Sequence, residues 1–433
     1  LNGECYKQKI SCLIKKNSGI NSSDKIGGFM KFFPILTCAF LVSSFSAYSQ
    51  EMISANNRTT SKQQPAQQKQ GECLECYCPA FNAPAAIDVN YKTFRCHRFS
   101  DSLFIDASLI YWYAGEEGLA LASNGIYSGS TLYFPVNSTT VFQSSNYKPG
   151  FKVGVGVVGN HEWVFHGEYT WYRSQNNTNT GAPPSDGGLT AGTTAALSGS
   201  DVWVVNDWFL QGTSAGQAIA GSNISSTWHL SMDLIDAVAG RPFYQGRCVT
   251  ISPFAGLRVA LIRQLMTVQL TESPLLFGSA FGAGTAPGQP IESNNHSNSW
   301  AIGPRVGFDG NCLLPMGFRF EGDFAASLLY TRYTSVKHSE DSASTAFNAG
   351  PYTALIDGYS CLRPSVEMGL GIGWGRYLSC QDYHIDFSLD YDFMLFWSQN
   401  MIRKLLDDTL TGTGPSAADL YLHGLTITGR FDF

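Results

Sequence analysis

In the stretch "HIDFSLDYDF", Ile385, Phe387, Leu389, Tyr391 and Phe393 alternate with His384, Asp386, Ser388, Asp390 and Asp392. A period of two places the first set on one face of a strand and the second on the other. "WAIGPRVGF" repeats the pattern, with Trp300, Ile302, Pro304, Val306 and Phe308 opposite Ala301, Gly303, Arg305 and Gly307. So does "GFRFEGDF", which sets Arg319, Glu321 and Asp323 against Phe318, Phe320 and Phe324. The final stretch "LYLHGLTITGRFDF" holds Tyr421, His423, Leu425, Ile427, Gly429, Phe431 and Phe433 in one register. Ten such segments are predicted as strands, near 104–113, 149–158, 162–172, 227–235, 248–262, 299–308, 317–333, 363–374, 383–397 and 420–433.

The connections alternate in length. Gly159-Asn160, 309–316 and 375–382 are short and 236–247 is moderate, whereas 114–148, 173–226, 263–298, 334–362 and 398–419 are long and rich in Ser, Thr, Gly and Asn. Short turns at one end and long loops at the other are the pattern of an outer-membrane barrel. Beyond the leader, no segment offers 18 consecutive apolar residues, so any membrane insertion must use strands. A soluble sandwich shares the alternation, but the tryptophans favour a membrane: Trp112, Trp171, Trp228, Trp300 and Trp397 fall at long-loop ends, and Trp163 and Trp374 at short-turn ends. Two aromatic girdles would require that distribution. "KPGFKVGVGV", "SPFAGLRVAL", "GPRVGFDG" and "RPSVEMGLGI" form a weak internal repeat that suits a recurring hairpin. The expected fold is an all-β transmembrane antiparallel barrel of at least ten strands, up to 16 if 114–148 or 200–210 conceals more. Its turns are expected in the periplasm and its long loops outside the cell.

Composition narrows the function. Charged residues are 14%, aromatics 13% and glycines 44 in number, and the net charge of −6 comes without any Lys/Arg run. That argues mildly against nucleic acid, which is not expected as a partner. "MKFFPILTCAFLVSSFSAYSQ", from Met30, reads as a secretory leader, because its apolar run from Phe32 to Phe45 is too short to span a bilayer. The expected organisation is an upstream over-extension at 1–29, a signal peptide at 30–49, a polar, Gln-rich linker and Cys-rich segment at 50–100, and the barrel at 101–433.

Four constellations invite chemistry. "GVGVVG" from Gly154 to Gly159 matches a dinucleotide-binding fingerprint, but a strand follows it where that fold needs a helix. Gly154 and Gly156 are expected to face a crowded lumen or to relieve strand curvature instead. Cys73, Cys76, Cys78, Cys96, Cys248, Cys312, Cys361 and Cys380 are disulfide candidates in an exported chain. A zinc site at Cys73, Cys76 and Cys78 lacks a complete second pair of ligands, so no metal or other cofactor is expected. Cys248, Cys312 and Cys380 lie at or beside the short turns, a position that suits cross-links to neighbours or to the N-terminal segment. His166 with Glu168 and His384 with Asp386 are inward i, i+2 pairs without a nucleophile motif, which reads as lumen polarity rather than catalysis.

"DSLFIDASLIYWYAGEEGLALA", "KPGFKVGVGV", "WVFHGEYTWYR" and the terminal "LYLHGLTITGRFDF" together resemble the Legionella-type major outer membrane protein family, with relatives in chlamydia-like bacteria. The resemblance runs from about Phe104 to Phe433. It implies a barrel of porin or adhesin character in the bacterial outer membrane. It also implies a C-terminal signal for the barrel-assembly machinery, carried by Tyr421, Leu425, Ile427, Phe431 and Phe433. "CLECYCP" and the cysteine count resemble disulfide-linked envelopes of chlamydial relatives, which implies disulfide-linked envelope partners or a homo-oligomer.

The expected function is passive diffusion of small hydrophilic solutes, with a structural role in the envelope. The alternatives are a surface adhesin or structural barrel without an open pore, and a barrel hydrolase. The pore-lining candidates are Lys152, Glu168, Arg258, Arg305, Arg319, Glu321, Asp323, Glu367, His384, Asp386, Asp390 and Asp392. Asp106, Asp233, Asp432 and Arg430 are assigned to the same inward register, giving a net-negative lumen. Outer-membrane lipid is the expected surroundings.

Overall fold

The computed structural model describes residues 102–433 except 129–130, 134–136, 160–161, 184–199, 206–207, 210–217, 247, 273–274, 279–281, 286–289, 343–351, 379–382 and 412–416. The expected leader, linker and Cys-rich segment lie outside the described residues, as do Cys73, Cys76, Cys78, Cys96 and Cys380.

Ten long strands carry the architecture: β1 (Ser102–Glu116), β2 (Tyr147–Val158), β3 (Val164–Asn179), β4 (Asn223–Gly240), β5 (Val249–Glu272), β6 (Ile291–Leu313), β7 (Phe318–Ser342), β8 (Tyr359–Leu378), β9 (Tyr383–Asn400) and β10 (Ala418–Asp432). Each pairs antiparallel with the next, and β1 pairs with both β2 and β10, so the ladder closes. Closure leaves no edge with unpaired N–H and C=O groups, which hydrocarbon would not tolerate. These ten strands coincide with the ten segments predicted from alternation. The short strands found in the long loops, such as Ala120–Ser128, Ser200–Val205 and Ala218–Gly221, form a separate sheet and do not widen the barrel.

Several strands outrun the sequence expectation at their long-loop ends. β6 begins at Ile291, because "IESNNHSN" pairs along β5 (Leu265 with His296, Val268 with Ser293) although both of its faces are largely polar. No helix is expected between β9 and β10, yet α1 (Met401–Thr411) stands there. Met401, Ile402, Leu405 and Leu406 form its buried face, and Arg403–Asp407 (3.0 Å) and Lys404–Asp408 (3.0 Å) brace the other at i, i+4 spacing.

The outside of the barrel is an apolar band. Leu109, Val155, Leu257, Val306, Leu370 and Ile427 are each more than half exposed, which water does not permit over so large an area and lipid does. Aromatic rings rim the band. At the long-loop end Tyr113 stacks on His423 (5.1 Å) and Tyr111 on Tyr147 (5.5 Å), and Trp300 meets Tyr330 (6.1 Å). At the other end Tyr383 stacks on Phe431 (5.7 Å) and Phe431 meets Phe433 (5.8 Å). Trp163, Trp171, Trp300, Trp374 and Trp397 belong to this outer surface. Trp112 and Trp228 do not: they point inward and are 1% and 0% exposed.

That departure has a structural cause. In its outer half the barrel is filled by an apolar core to which β1, β3, β4, β5, β6, β7, β9 and β10 contribute, with residues such as Ile110, Trp112, Tyr172, Leu230, Ile262 and Phe396. The loop sheet adds Leu121, Trp203 and Val205, the loop beyond it adds Trp208, and α1 adds Ile402 and Leu406. Trp208 is fully buried, donates from Nε1 to the Ala120 carbonyl (2.7 Å) and lies under Arg403 of α1.

Candidate functional site: an acidic chamber beneath an apolar roof

Below this roof, toward the short turns, the inward register turns polar. A cavity of about 360 Å³ reaches from the roof to the turns and is lined by Lys152, Glu168, Arg305, Arg319, Glu321, Asp323, Glu367, Asp386, Asp390 and Asp392, all predicted from alternation. Arg258 and His384, also predicted, share the inward register but are packed into the wall at 1% exposure each. Asp236 and Asp309 line the chamber as well. They escape the sequence reading because the predicted strands stop at 235 and 308, one residue short of each.

One assignment is corrected. Asp233 lies on the outer surface, where Arg173 grips both its carboxylate oxygens (2.9 and 2.8 Å) and the Tyr169 hydroxyl donates to it (2.8 Å). In "TWHLSMDLI" the polar positions His229, Ser231 and Asp233 face outward and the apolar ones fill the roof. Polarity marks two faces; under an apolar roof the inward one is the greasy one.

The charges are tied together across the lumen. Arg258 reaches Asp236 on the neighbouring strand through Nε (2.7 Å) and Nη2 (2.5 Å), and Glu367 three strands away through Nη2 (3.0 Å). Arg305 donates to the same Glu367 (2.9 Å). Arg319 holds Asp386 through both terminal nitrogens and Glu321 through Nε (2.7 Å). Lys152 meets Asp392 (3.2 Å) beside the Trp112 ring, and Arg430 holds Asp432 (2.7 Å) over the Phe104 ring. Such pairs offset the cost of removing charge from bulk water only when each group is also hydrogen-bonded, as here.

Even so, the chamber is acidic. Among the described residues ten carboxylates and five Lys or Arg side chains line it, a net of five negative charges. Low-dielectric walls focus that field along the axis. Two histidines lie beside it: His166 bonds Asp106 (2.9 Å), and His384 bonds Asp432 (3.1 Å) and packs on Tyr377 (4.6 Å). The sequence pairing of each with the carboxylate two residues on is therefore replaced by a contact to another strand. Gly154 and Gly156 do face a crowded lumen: a Cβ at Gly154 would strike Asp106 and His166, and one at Gly156 the Phe104 ring.

The remaining assigned residues are surface features. Tyr421, Leu425, Ile427 and Phe431 occupy the outward register of β10, and the exposed Phe433 follows its last residue. The Leu103 and Phe433 backbones exchange hydrogen bonds at the seam (3.1 and 2.9 Å). Cys248, Cys312 and Cys361 are free thiols in this structure. Cys248 and Cys312 sit at the short-turn end, where the Leu313 N–H donates to the Cys248 carbonyl (2.7 Å), and Cys361 lies at the long-loop end of β8.

Comparison with known proteins bears on identity. A family model described as the Legionella pneumophila major outer membrane protein precursor matches residues 101–433, more than half of the chain. Together with the closed barrel, that match puts the protein in the bacterial outer membrane. No protein of curated function matches. Among solved structures, the chain is similar to the Escherichia coli outer membrane protease OmpT at 10% identity and a TM-score of 0.35, over 79% of this chain and 99% of that one. It is similar to a Thermus thermophilus major outer membrane protein at 9% identity and a TM-score of 0.23, over 77% and 100%. A Pseudomonas aeruginosa FadL homologue aligns at 7% identity and a TM-score of 0.20, over 82% and 93%. Likenesses this weak carry no argument, and the fold rests on the strand pairing itself.

Proposed function

The chain belongs to the Legionella major outer membrane protein family, and from that premise we propose that it is a non-catalytic barrel of porin type that rests closed. Its acidic chamber is a vestibule for small hydrophilic solutes, and the apolar roof of loop sheet and α1 is the gate that must yield before they pass. The observation that carries this reading is the chamber. A barrel with only a structural task can fill its interior with side chains, and ten strands make a lumen narrow enough for that. This one keeps ten carboxylates around a cavity and leaves Asp323 in the inward register exposed.

The roof supports a second reading, a permanently closed barrel that stiffens the envelope and presents its loops as an adhesive surface. In either case β10 would serve as the assembly signal, and the cysteines near the short turns would be available to cross-link envelope partners. Liposome swelling separates the two readings. Reconstituted protein is placed in an isotonic solution of a small sugar, and Trp208→Ala, which loosens the roof without touching any barrel strand, is compared with the unaltered chain. The porin reading expects slow swelling with the unaltered chain and faster swelling with the variant. No swelling with either, from barrels that are demonstrably folded, supports the closed barrel.

A further inference from the structure

The outer surface is asymmetric just above the apolar band. On β3 to β7 the strand register aligns Trp171, Asp233, Leu261, Trp300 and Arg332 in one lateral row, at the height of the aromatic rim. The next outward row toward the loops holds Arg173, Ser231, Arg263 and Asn298. The row after that holds Gln175, His229, Leu265, His296 and Lys337. Successive outward rows are two residues, about 7 Å, apart along a strand. A headgroup layer is about 5–8 Å thick on each side of the hydrocarbon. Arg263 and Arg332, and Lys337 within its longer reach, therefore stand at headgroup depth.

These cations are uncommitted. Among the described residues Arg263, Arg332 and Lys337 form no ion pair or side-chain hydrogen bond, and Arg263 and Arg332 are exposed. The only acid in the three rows is Asp233, already held by Arg173 and Tyr169. The next acid upward is Asp357, exposed where the chain passes from Ile356, paired with Val336 of β7, to Tyr359, paired with Tyr333, so it borders the Arg332 end of the stripe. Glu292 lies four rows above the rim. On the other side of the barrel the same height carries Tyr111, Tyr113, Tyr147, Tyr391, Tyr421 and His423 and, among the described residues, no Lys or Arg in the outward register.

We propose that the β3–β7 face is a docking site for a phosphate-bearing lipid of the outer leaflet, its tails on the apolar band and its headgroup phosphate held by Arg263, Arg332 and Lys337. Guanidinium forks suit phosphate oxygens, because they donate two parallel hydrogen bonds to them. Trp171 and Trp300 flank the stripe at the depth where aromatic side chains rest on lipid headgroups. Arg173, neutralised by Asp233, positions the row rather than adding charge. The site depends only on outer-membrane placement and is independent of whether the chamber conducts.

The test uses the purified full chain in a neutral maltoside detergent, with retained lipid counted by native mass spectrometry. Phosphatidic acid is compared with diacylglycerol, which has the same tails and no phosphate. The unaltered chain is expected to retain phosphatidic acid selectively, and Arg263→Gln/Arg332→Gln to lose about 30-fold in affinity. That is about 2 kcal/mol, at roughly 1 kcal/mol for each basic residue beside an anionic surface. Arg376→Gln, an outward charge near the short turns, is expected to leave retention unchanged, and all variants must show heat-modifiable mobility to count as folded. Equal retention of the two lipids, equal retention by the double variant, or displacement by inorganic phosphate at the lipid's own concentration would each overturn the site.

Discussion

Leu389 and Asp390 are adjacent, yet one faces hydrocarbon at 43% exposure and the other faces the chamber, where Ser388 donates to it (2.7 Å). Leu389→Arg is expected to cost about 2 to 4 kcal/mol and to impair folding into vesicles, as a charge on the lipid face does near mid-bilayer. Asp390→Asn should fold at the unaltered rate; equal damage from both, measured by the fraction reaching the SDS-resistant form, would show the register to be wrong. Arg258 offers a harsher test. Arg258→Met strands Asp236 and Glu367 in the wall with only Arg305 to share, so the urea midpoint should fall by the equivalent of about 3 to 5 kcal/mol. At this scale twelve of the charged side chains around the chamber occupy the inward register that alternation in the sequence assigns, because a polar residue between lipid-facing apolar ones has only the lumen to face. It failed at Asp233 and at Trp112. Above the rim the outside is wet and the inside is an apolar plug, so the same pattern has the opposite meaning.

At the scale of elements, the ten strands were legible because each crosses lipid and must alternate. The parts above the membrane were not. "IESNNHSN" in β6 has polar residues on both faces and gains its order from backbone pairing with β5 and β7, a long-range cause with no local signature. The helix α1 is short, so its helicity depends on the apolar face it buries in the roof rather than on propensity. The roof gives a further prediction. Trp208→Ala removes a fully buried ring at a cost of about 3 to 5 kcal/mol, but Trp208 belongs to no barrel strand. Limited proteolysis should therefore cut the loop sheet sooner in the variant while the barrel fragment survives. Cleavage spreading through the strands at the same rate would show that roof and barrel fold as one unit.

For the whole molecule, the closed ladder predicts resistance to SDS at room temperature and a mobility shift on boiling, since no edge is available from which to unzip. Identical migration before and after heating would contradict a closed barrel. The central claim, a cation-favouring vestibule behind a movable gate, is tested most directly by the reversal potential in a planar bilayer under a salt gradient, with the unaltered chain and Trp208→Ala side by side. Rare openings are expected from the unaltered chain and frequent ones from the variant, both selective for cations. The preference should weaken as the Debye length falls from about 30 Å at 0.01 M to about 3 Å at 1 M. Neutralising Asp386, Asp390 and Asp392 together should shift the potential toward zero. Anion preference, or silence from both proteins once they are shown to be folded in the bilayer, would contradict the account.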